Sequence, residues 1–169
     1  MASDIEKEAI VPLLRDQKDP ITVVYAASLM GLTKGLWKVS GEGSGGVTRA
    51  FGEDLWHLVK TGSVMLGEER DMSSPESATE FYDRYLIKRF GVAESADFNI
   101  TEGTVEMTVK TCNIHHYTDY LEQNDVPRSV GCPMALIYIA MMEEVIGEPL
   151  VVDKIEHSDS DCKIVLKKF

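Results

Sequence analysis

The sequence predicts an α+β fold, because helical periodicity in the first half of the chain gives way to strand-like alternation in the second half. Four segments of the second half are apolar, the first two in alternation with polar residues, and turn residues separate them in pairs. We expect N-terminal helices packed on a small antiparallel sheet of two hairpins, with a buried helix between the hairpins. The strand segments are 98–100 and 105–109 in the first hairpin, and 150–152 and 164–166 in the second.

The first half carries start signals for its helices. Asp19 is an N-cap residue, and Pro20 follows it at the first helical position. Ser73 and Glu76 have the spacing of a capping box. The predicted helices span Ile21–Val39, Val47–Leu66 and Pro75–Phe90, and one or two helical turns are expected around Ile10–Leu14.

The helix with the strongest pattern lies between the predicted hairpins. Residues Pro133–Ile146 are apolar on nearly every side as far as Glu143, and Gly147 ends the run. A helix of this kind is buried. A shorter helix is expected over Ile114–Gln123.

Composition restricts the class of protein. A chain of 169 residues, 44% hydrophobic and 27% charged, is typical of a single globular domain, so we take 1–169 as one ligand-binding domain. Its net charge of −11 disfavours nucleic acid. No apolar run is long enough for a membrane span, and the polar N-terminus is unlike a secretory signal, so a cytoplasmic location is expected. Three cysteines do not indicate a disulfide framework.

The cysteines and most histidines are concentrated in the C-terminal part of the chain. Thiolate and imidazole are ligands for Zn²⁺, and four of them close a tetrahedral structural site. The long spacings would join separate elements of the fold. A set of buried inert thiols is the plainer alternative. The predicted zinc ligands are Cys112, Cys132, His157 and Cys162, with His116 in reserve.

Cys132 has a second interpretation. It directly precedes Pro133, so it is expected at a helix N-terminus, where backbone N–H groups lower the pKa of a thiol. A thiolate there is either a metal ligand or a nucleophile.

Two further patterns concern ligand binding. Gly41, Gly43 and Gly46 match a dinucleotide fingerprint, but no strand is predicted before them, so a flexible interhelical loop is favoured. Trp37, Phe51 and Trp56 could line an apolar cavity with this loop at its mouth, although aromatic residues at helical spacing more often fill a core.

The C-terminal half also resembles a known family. Cys132 opens a buried helix, Gly147-Glu-Pro ends it, a valine-rich strand follows, and the turn Ser158–Cys162 precedes the last strand. This pattern, over about Val105–Leu166, resembles the 4-vinyl-reductase-type (hydrocarbon-binding) domain family. With Cys112 it also resembles the L-2-amino-thiazoline-4-carboxylic acid hydrolase-like group.

The resemblance implies a fold like that of nitric-oxide-sensing and vesicle-tethering domains, a homodimer, and an apolar pocket beside a zinc site. It places Cys132 and Cys162 at ligand positions and His157 as a substitute ligand. We therefore expect a sensor domain that binds a small apolar or aromatic ligand and contains structural Zn²⁺. The alternatives are a thiol- or zinc-dependent hydrolase of a small heterocycle or amide, and a dimeric interaction module.

Overall fold

A computed structural model describes residues 20–168, and its first elements are helical. The predicted helices of the first half are confirmed. The turns expected around Ile10–Leu14 and the N-cap Asp19 lie outside the described residues. The elements are α1 Pro20–Ser40, a 3₁₀ helix Gly41–Ser44, α2 Gly45–Met65, and α3 Pro75–Tyr82, which continues as a π-helix over Asp83–Arg89.

The connection between α1 and α2 corrects the expectation of a flexible glycine loop. Gly41–Ser44 forms a 3₁₀ helix, and α2 begins at Gly45. Because helix α1 precedes the glycines, the strand that a dinucleotide site requires is absent at this point of the described chain. The glycine-rich segment therefore connects α1 to α2 through a short helical turn.

The start of α3 also differs by one residue from the expectation. Ser74 is the N-cap, and its side chain accepts from the backbone N–H of Ser77, while Ser77 Oγ accepts from the N–H of Ser74. Because Pro75 occupies the first helical position, the third position falls on Ser77 and not on Glu76. The capping box is real but involves a different pair.

The sheet contains four antiparallel strands, as predicted. The two hairpins pair through β2 and β4, which gives the order β1-β2-β4-β3. One face carries the apolar side chains, and the other is polar, with Glu106 3.0 Å from Lys163 across β2 and β4. The strands are β1 Ala93–Ile100, β2 Thr104–Cys112, β3 Leu150–Ser158 and β4 Asp161–Lys168.

Three helices lie between the hairpins: α4 His115–Gln123, α5 Arg128–Gly131 and α6 Pro133–Ile146. Helix α6 is buried as predicted and ends at Gly147, whose φ is +70°. Together with α3 and the inner face of the sheet, α6 forms the main hydrophobic core. Helix α4 packs instead on α1, in a smaller cluster that includes Met30 and Leu121. Among the described helices, none has both the length and the apolarity to cross a membrane.

Candidate metal centre and adjoining apolar cavity

The three cysteines come from distant parts of the chain and line one cavity. Cys112 ends β2, Cys132 is the N-cap residue of α6, and Cys162 lies in β4. The cavity has a volume of about 10 Å³, which is roughly the space of one water molecule or ion. Its remaining walls are Ile114, His115, Thr118, Arg128, Met134 and Ile155.

A backbone irregularity directs Cys112 into this cavity. Val105, Met107 and Val109 face the core, so strict alternation along β2 would bury Thr111 and expose Cys112. Thr111 instead has φ of +52°, and it is exposed whereas Cys112 is buried. A positive φ is unfavourable for a β-branched residue. The chain therefore maintains a strained conformation that turns a thiol inward.

Burial favours the neutral form of all three thiols. Burial raises the pKa of Cys132 to about 11 and that of Cys162 to about 12, and it also raises the pKa of Cys112. The N–H groups of Ala135 and Met134 lower the pKa of Cys132, as its helix position predicts, but burial is the larger effect. Burial thus outweighs the helix N-terminus at Cys132 and favours the thiol over a nucleophilic thiolate.

The thiols are gathered but are not at the mutual distances that metal ligands have. Cys112 Sγ lies 3.7 Å from Met134 Sδ. In residues 20–168, three sulfurs all within 4.8 Å of one another are not found, so at least one pair is farther apart. Zn–S bonds of ≈ 2.3 Å would require the side chains to rotate inward.

A network of charged groups borders the thiol cavity. Buried Arg128 donates to Asp119 and, from Nε at 3.0 Å, to Glu122. His115 Nε2 lies 3.2 Å from Asp119, and His157 Nε2 lies 3.0 Å from Glu122. Each carboxylate is therefore shared between the guanidinium and one imidazole.

This network includes another possible ligand set. His115, Asp119 and His157 offer ligand atoms within 4.8 Å of one another. A divalent cation there would lie beside the guanidinium of Arg128, which already bonds to Asp119. That repulsion favours a hydrogen-bonding role for the set. Asp119 then orients His115 through Nε2 and leaves Nδ1 free, as carboxylates do for metal-bound imidazoles.

The histidine that lines the thiol cavity is not one of the two predicted as zinc ligands. His115 lines it, and burial lowers the pKa of its imidazole, which favours the neutral form that binds metals. His157 faces Cys162 across β3 and β4, and His116 is exposed. The assignment of His157 and His116 as ligands stays a prediction. The spacing Cys112-x-x-His115, followed by an acid four residues later, could have indicated His115 from sequence.

A larger, apolar cavity lies where α1 and α2 diverge. Its volume is about 300 Å³, and α4 and α5 form its inner wall. Of the three aromatic residues expected at an apolar cavity, Phe51 lines this one. Trp56 is only 3% exposed within the main core, and Trp37 packs on the smaller cluster around Met30. The lining residues are Leu29, Leu32, Thr33, Leu36, Val47, Thr48, Phe51, Tyr117, Val130 and Gly131.

Comparison with known proteins decides the family. Residues 21–169 match the family described as "Putative rubredoxin C-terminal domain". The chain belongs to this family. A relative named "Putative rubredoxin", from Methanothermobacter thermautotrophicus, is 29% identical over 130 residues, which are 77% of this chain. The chain spans 62% of the length of that relative.

Membership of this family corrects the resemblance drawn from the sequence. The family is neither the 4-vinyl-reductase-type (hydrocarbon-binding) family nor the hydrolase-like group. The pattern that suggested them consists of a cysteine before a buried helix, a Gly-x-Pro stop and an acidic turn before a cysteine. These describe a helix start, a helix end and a hairpin turn, which unrelated α+β domains also contain.

Proposed function

We propose that this domain binds one Zn²⁺ ion through Cys112, Cys132, Cys162 and His115. The observation that supports this most is the convergence of three cysteines, from β2, α6 and β4, on one cavity of about 10 Å³. Cysteines that served only to fill the core would not be expected to line one cavity together with an imidazole. The strained Thr111 that turns Cys112 inward supports the same conclusion.

The composition of the donor set limits the metal. The three cysteines of this chain supply at most three thiolates to one ion, and the fourth ligand that we propose is the imidazole of His115. The name of the related protein, a putative rubredoxin, suggests an iron site in that protein. Sulfur with one imidazole suits Zn²⁺ as well as iron, and a closed set of this type is typical of structural zinc.

A structural role fits this geometry better than a catalytic one. The cavity has no space for a substrate beside an ion, and the residues proposed as ligands cross-link two strands and two helices. The hydrolase alternative would require an open coordination position or a reactive thiol. We therefore propose that the ion stabilises a small-molecule-binding domain, whose ligand site is the apolar cavity between α1 and α2.

A homodimer remains part of this proposal. Eight large apolar residues of α1 and α2 are exposed, and apolar surface concentrated on two consecutive helices is typical of an interaction face. A second copy would cover them. These residues are Val24, Tyr25, Leu32, Val39, Val47, Leu58, Val64 and Met65.

Metal content is the direct test. Protein purified without chelator should contain about one Zn²⁺ per chain by elemental analysis. Replacement of the ion by Co²⁺ should give thiolate-to-metal charge-transfer absorption. That absorption should be lost in Cys162→Ser, together with metal content and thermal stability.

Matched variants separate the ligand sets. Ser158→Ala, in the same β3–β4 hairpin but exposed, should leave both metal content and absorption unchanged. His115→Ala should alter the Co²⁺ spectrum, and His157→Ala should not. The reverse result would restore His157 as the fourth ligand. Protein free of metal after growth in zinc-supplemented medium would refute the proposal.

A further inference from the structure

We infer that metal binding at the cysteines controls ligand binding in the apolar cavity between α1 and α2. The inference rests on the proposed metal-binding function and extends it to regulation of the ligand site. The ligand we infer is a neutral, apolar small molecule with a single hydrogen-bonding group.

The two cavities share the same short elements as walls. In α4, His115 and Thr118 line the thiol cavity, whereas Tyr117 lines the apolar cavity. Neighbouring residues of α4 thus line two different cavities. A change in the position of α4 that brings His115 toward an ion must also move Tyr117.

The segment 128–132, which follows α4, also contributes residues to both cavities. Arg128 and Cys132 line the thiol cavity, and Val130 and Gly131, between them in sequence, line the apolar cavity. Cys132 N donates to the carbonyl of Arg128 at 2.9 Å, which closes this turn on itself. The backbone of 128–132 is therefore one compact unit between the two cavities.

Gly131 is where this unit contacts the apolar wall most closely. A Cβ atom at Gly131 would lie 2.2 Å from Leu121 Cδ1, 3.2 Å from Thr33 Cγ2 and 3.3 Å from the hydroxyl of Tyr117. The backbone next to Cys132 thus contacts α1 and α4 directly. Where metal binding also shifts the backbone of Cys132, the shift reaches these contacts at Gly131, because packed interiors transmit small shifts.

The lining identifies the class of ligand. Its side chains are apolar apart from Thr33, Thr48 and Tyr117, and no charged residue of the described chain lines the cavity. Thr33 Oγ1 and Tyr117 Oη lie 2.9 Å apart, and both side chains are buried. Thr33 donates its proton to the carbonyl of Leu29, so Tyr117 donates to Thr33 Oγ1, and the pair can accept one hydrogen bond from a hydroxyl or N–H group of a ligand. An ion would lose its hydration without compensation. A volume of about 300 Å³ suits a small aromatic or short-chain molecule.

The affinity of a neutral probe tests the coupling. N-phenyl-1-naphthylamine is titrated by fluorescence into zinc-loaded protein and into protein stripped by chelator, with metal content measured on the same samples. We expect a dissociation constant at least about fivefold higher without zinc, since couplings between sites are commonly of this size or larger. By reciprocity, saturating probe should strengthen zinc binding by the same factor.

A control variant covers the case in which the stripped protein unfolds. In zinc-loaded protein, Gly131→Ala should weaken zinc binding as well as probe binding, each at least about fivefold, because its Cβ would push 128–132 away from Leu121. Gly46→Ala, at an exposed position with open space around it, is the matched control and should bind the probe normally.

The outcomes distinguish this inference from the proposed function. One zinc per chain with equal probe affinities in loaded and stripped folded protein overturns the coupling and leaves the metal site standing. If the stripped protein unfolds, equal zinc affinities in Gly131→Ala and Gly46→Ala overturn it. Absence of metal refutes the proposed function and the coupling with it.

Discussion

The core around α6 and the pair of helices α1 and α2 differ in how completely they bury apolar side chains. In the core, Tyr138, Met141 and Met142 of α6 are at most 1% exposed. In the helix pair, Met30 and Trp56 are the large apolar residues buried among those described, whereas eight others are exposed. The α6 core therefore buries its large apolar side chains almost completely, whereas α1 and α2 expose apolar surface to solvent.

This difference assigns the two regions different tasks. Complete burial in the α6 core provides most of the stability, because buried apolar area is the main favourable contribution to folding. An incompletely covered helix pair is less stable locally and is the region suited to bind ligands or partners. The thiol cavity lies at the boundary, with Cys132 from α6 and His115 from α4.

The largest expected effect comes from truncation in the core. Ile164 is fully buried in β4, between Met107 of β2 and Ile155 of β3. Ile164→Ala should lower the free energy of unfolding by about 2–5 kcal/mol through lost burial and a residual cavity. Lys38→Ala, at an exposed site in α1 outside the proposed dimer surface, should change it by less than about 0.5 kcal/mol. Urea denaturation measures both, and comparable losses would contradict the contrast.

A smaller effect distinguishes two glycines of the helix pair. A Cβ at Gly52 of α2 would lie 2.9 Å from the carbonyl oxygen of Leu136 in α6, whereas a Cβ at Gly35 of α1 meets open space. Gly52→Ala should cost about 1–3 kcal/mol of stability by overpacking. Gly35→Ala should add about 0.5–1 kcal/mol, because alanine favours the helix. Thermal unfolding checks the opposite signs.

If both glycine variants are stabilised, α2 does not pack closely on α6 in solution. If both are destabilised, the outer face of α1 is covered, for example by a second copy of the chain. Repeating the measurement at several protein concentrations separates the two explanations, because dimer stability depends on concentration.

The smallest effect compares two equivalent hydroxyl pairs. In the core, the hydroxyl oxygens of Tyr138 and Thr79 lie 2.7 Å apart. In the apolar cavity, the hydroxyl oxygens of Tyr117 and Thr33 lie 2.9 Å apart. In each pair the threonine also bonds to the carbonyl four residues earlier in its helix. Tyr138→Phe and Tyr117→Phe should each cost about 0.5–1.5 kcal/mol. Only Tyr117→Phe should weaken binding of a neutral probe that carries a hydrogen-bonding group, which calorimetry can measure.

Much of the local structure follows from the sequence. The buried helix Pro133–Ile146, its end at Gly147 and both hairpins were predictable, because apolar periodicity and turn residues act over short distances. The start of α3 was shifted by one residue, since Pro75 sets the N-cap at Ser74. The helical turn at Gly41–Ser44 was not predictable from glycine content, which favours a loop.

The candidate site was predictable only in part. Cysteine and histidine content indicated metal chemistry at Cys112, Cys132 and Cys162, which the fold brings to one cavity. The sequence did not indicate the high thiol pKa of Cys132, because burial depends on residues far away in the chain. Family membership, likewise, could not be recovered from short patterns of helix ends and turns.

The sequence by itself determined the α+β class, the elements and the types of donor atom that the chain can offer. The tertiary structure decided which donors meet. Pairing of β2 with β4 brings Cys112 and Cys162 to the same end of the sheet, and the strained Thr111 turns Cys112 inward. Those contacts join residues fifty positions apart, and they depend on the packing of the whole domain. Local sequence patterns contain no record of that packing.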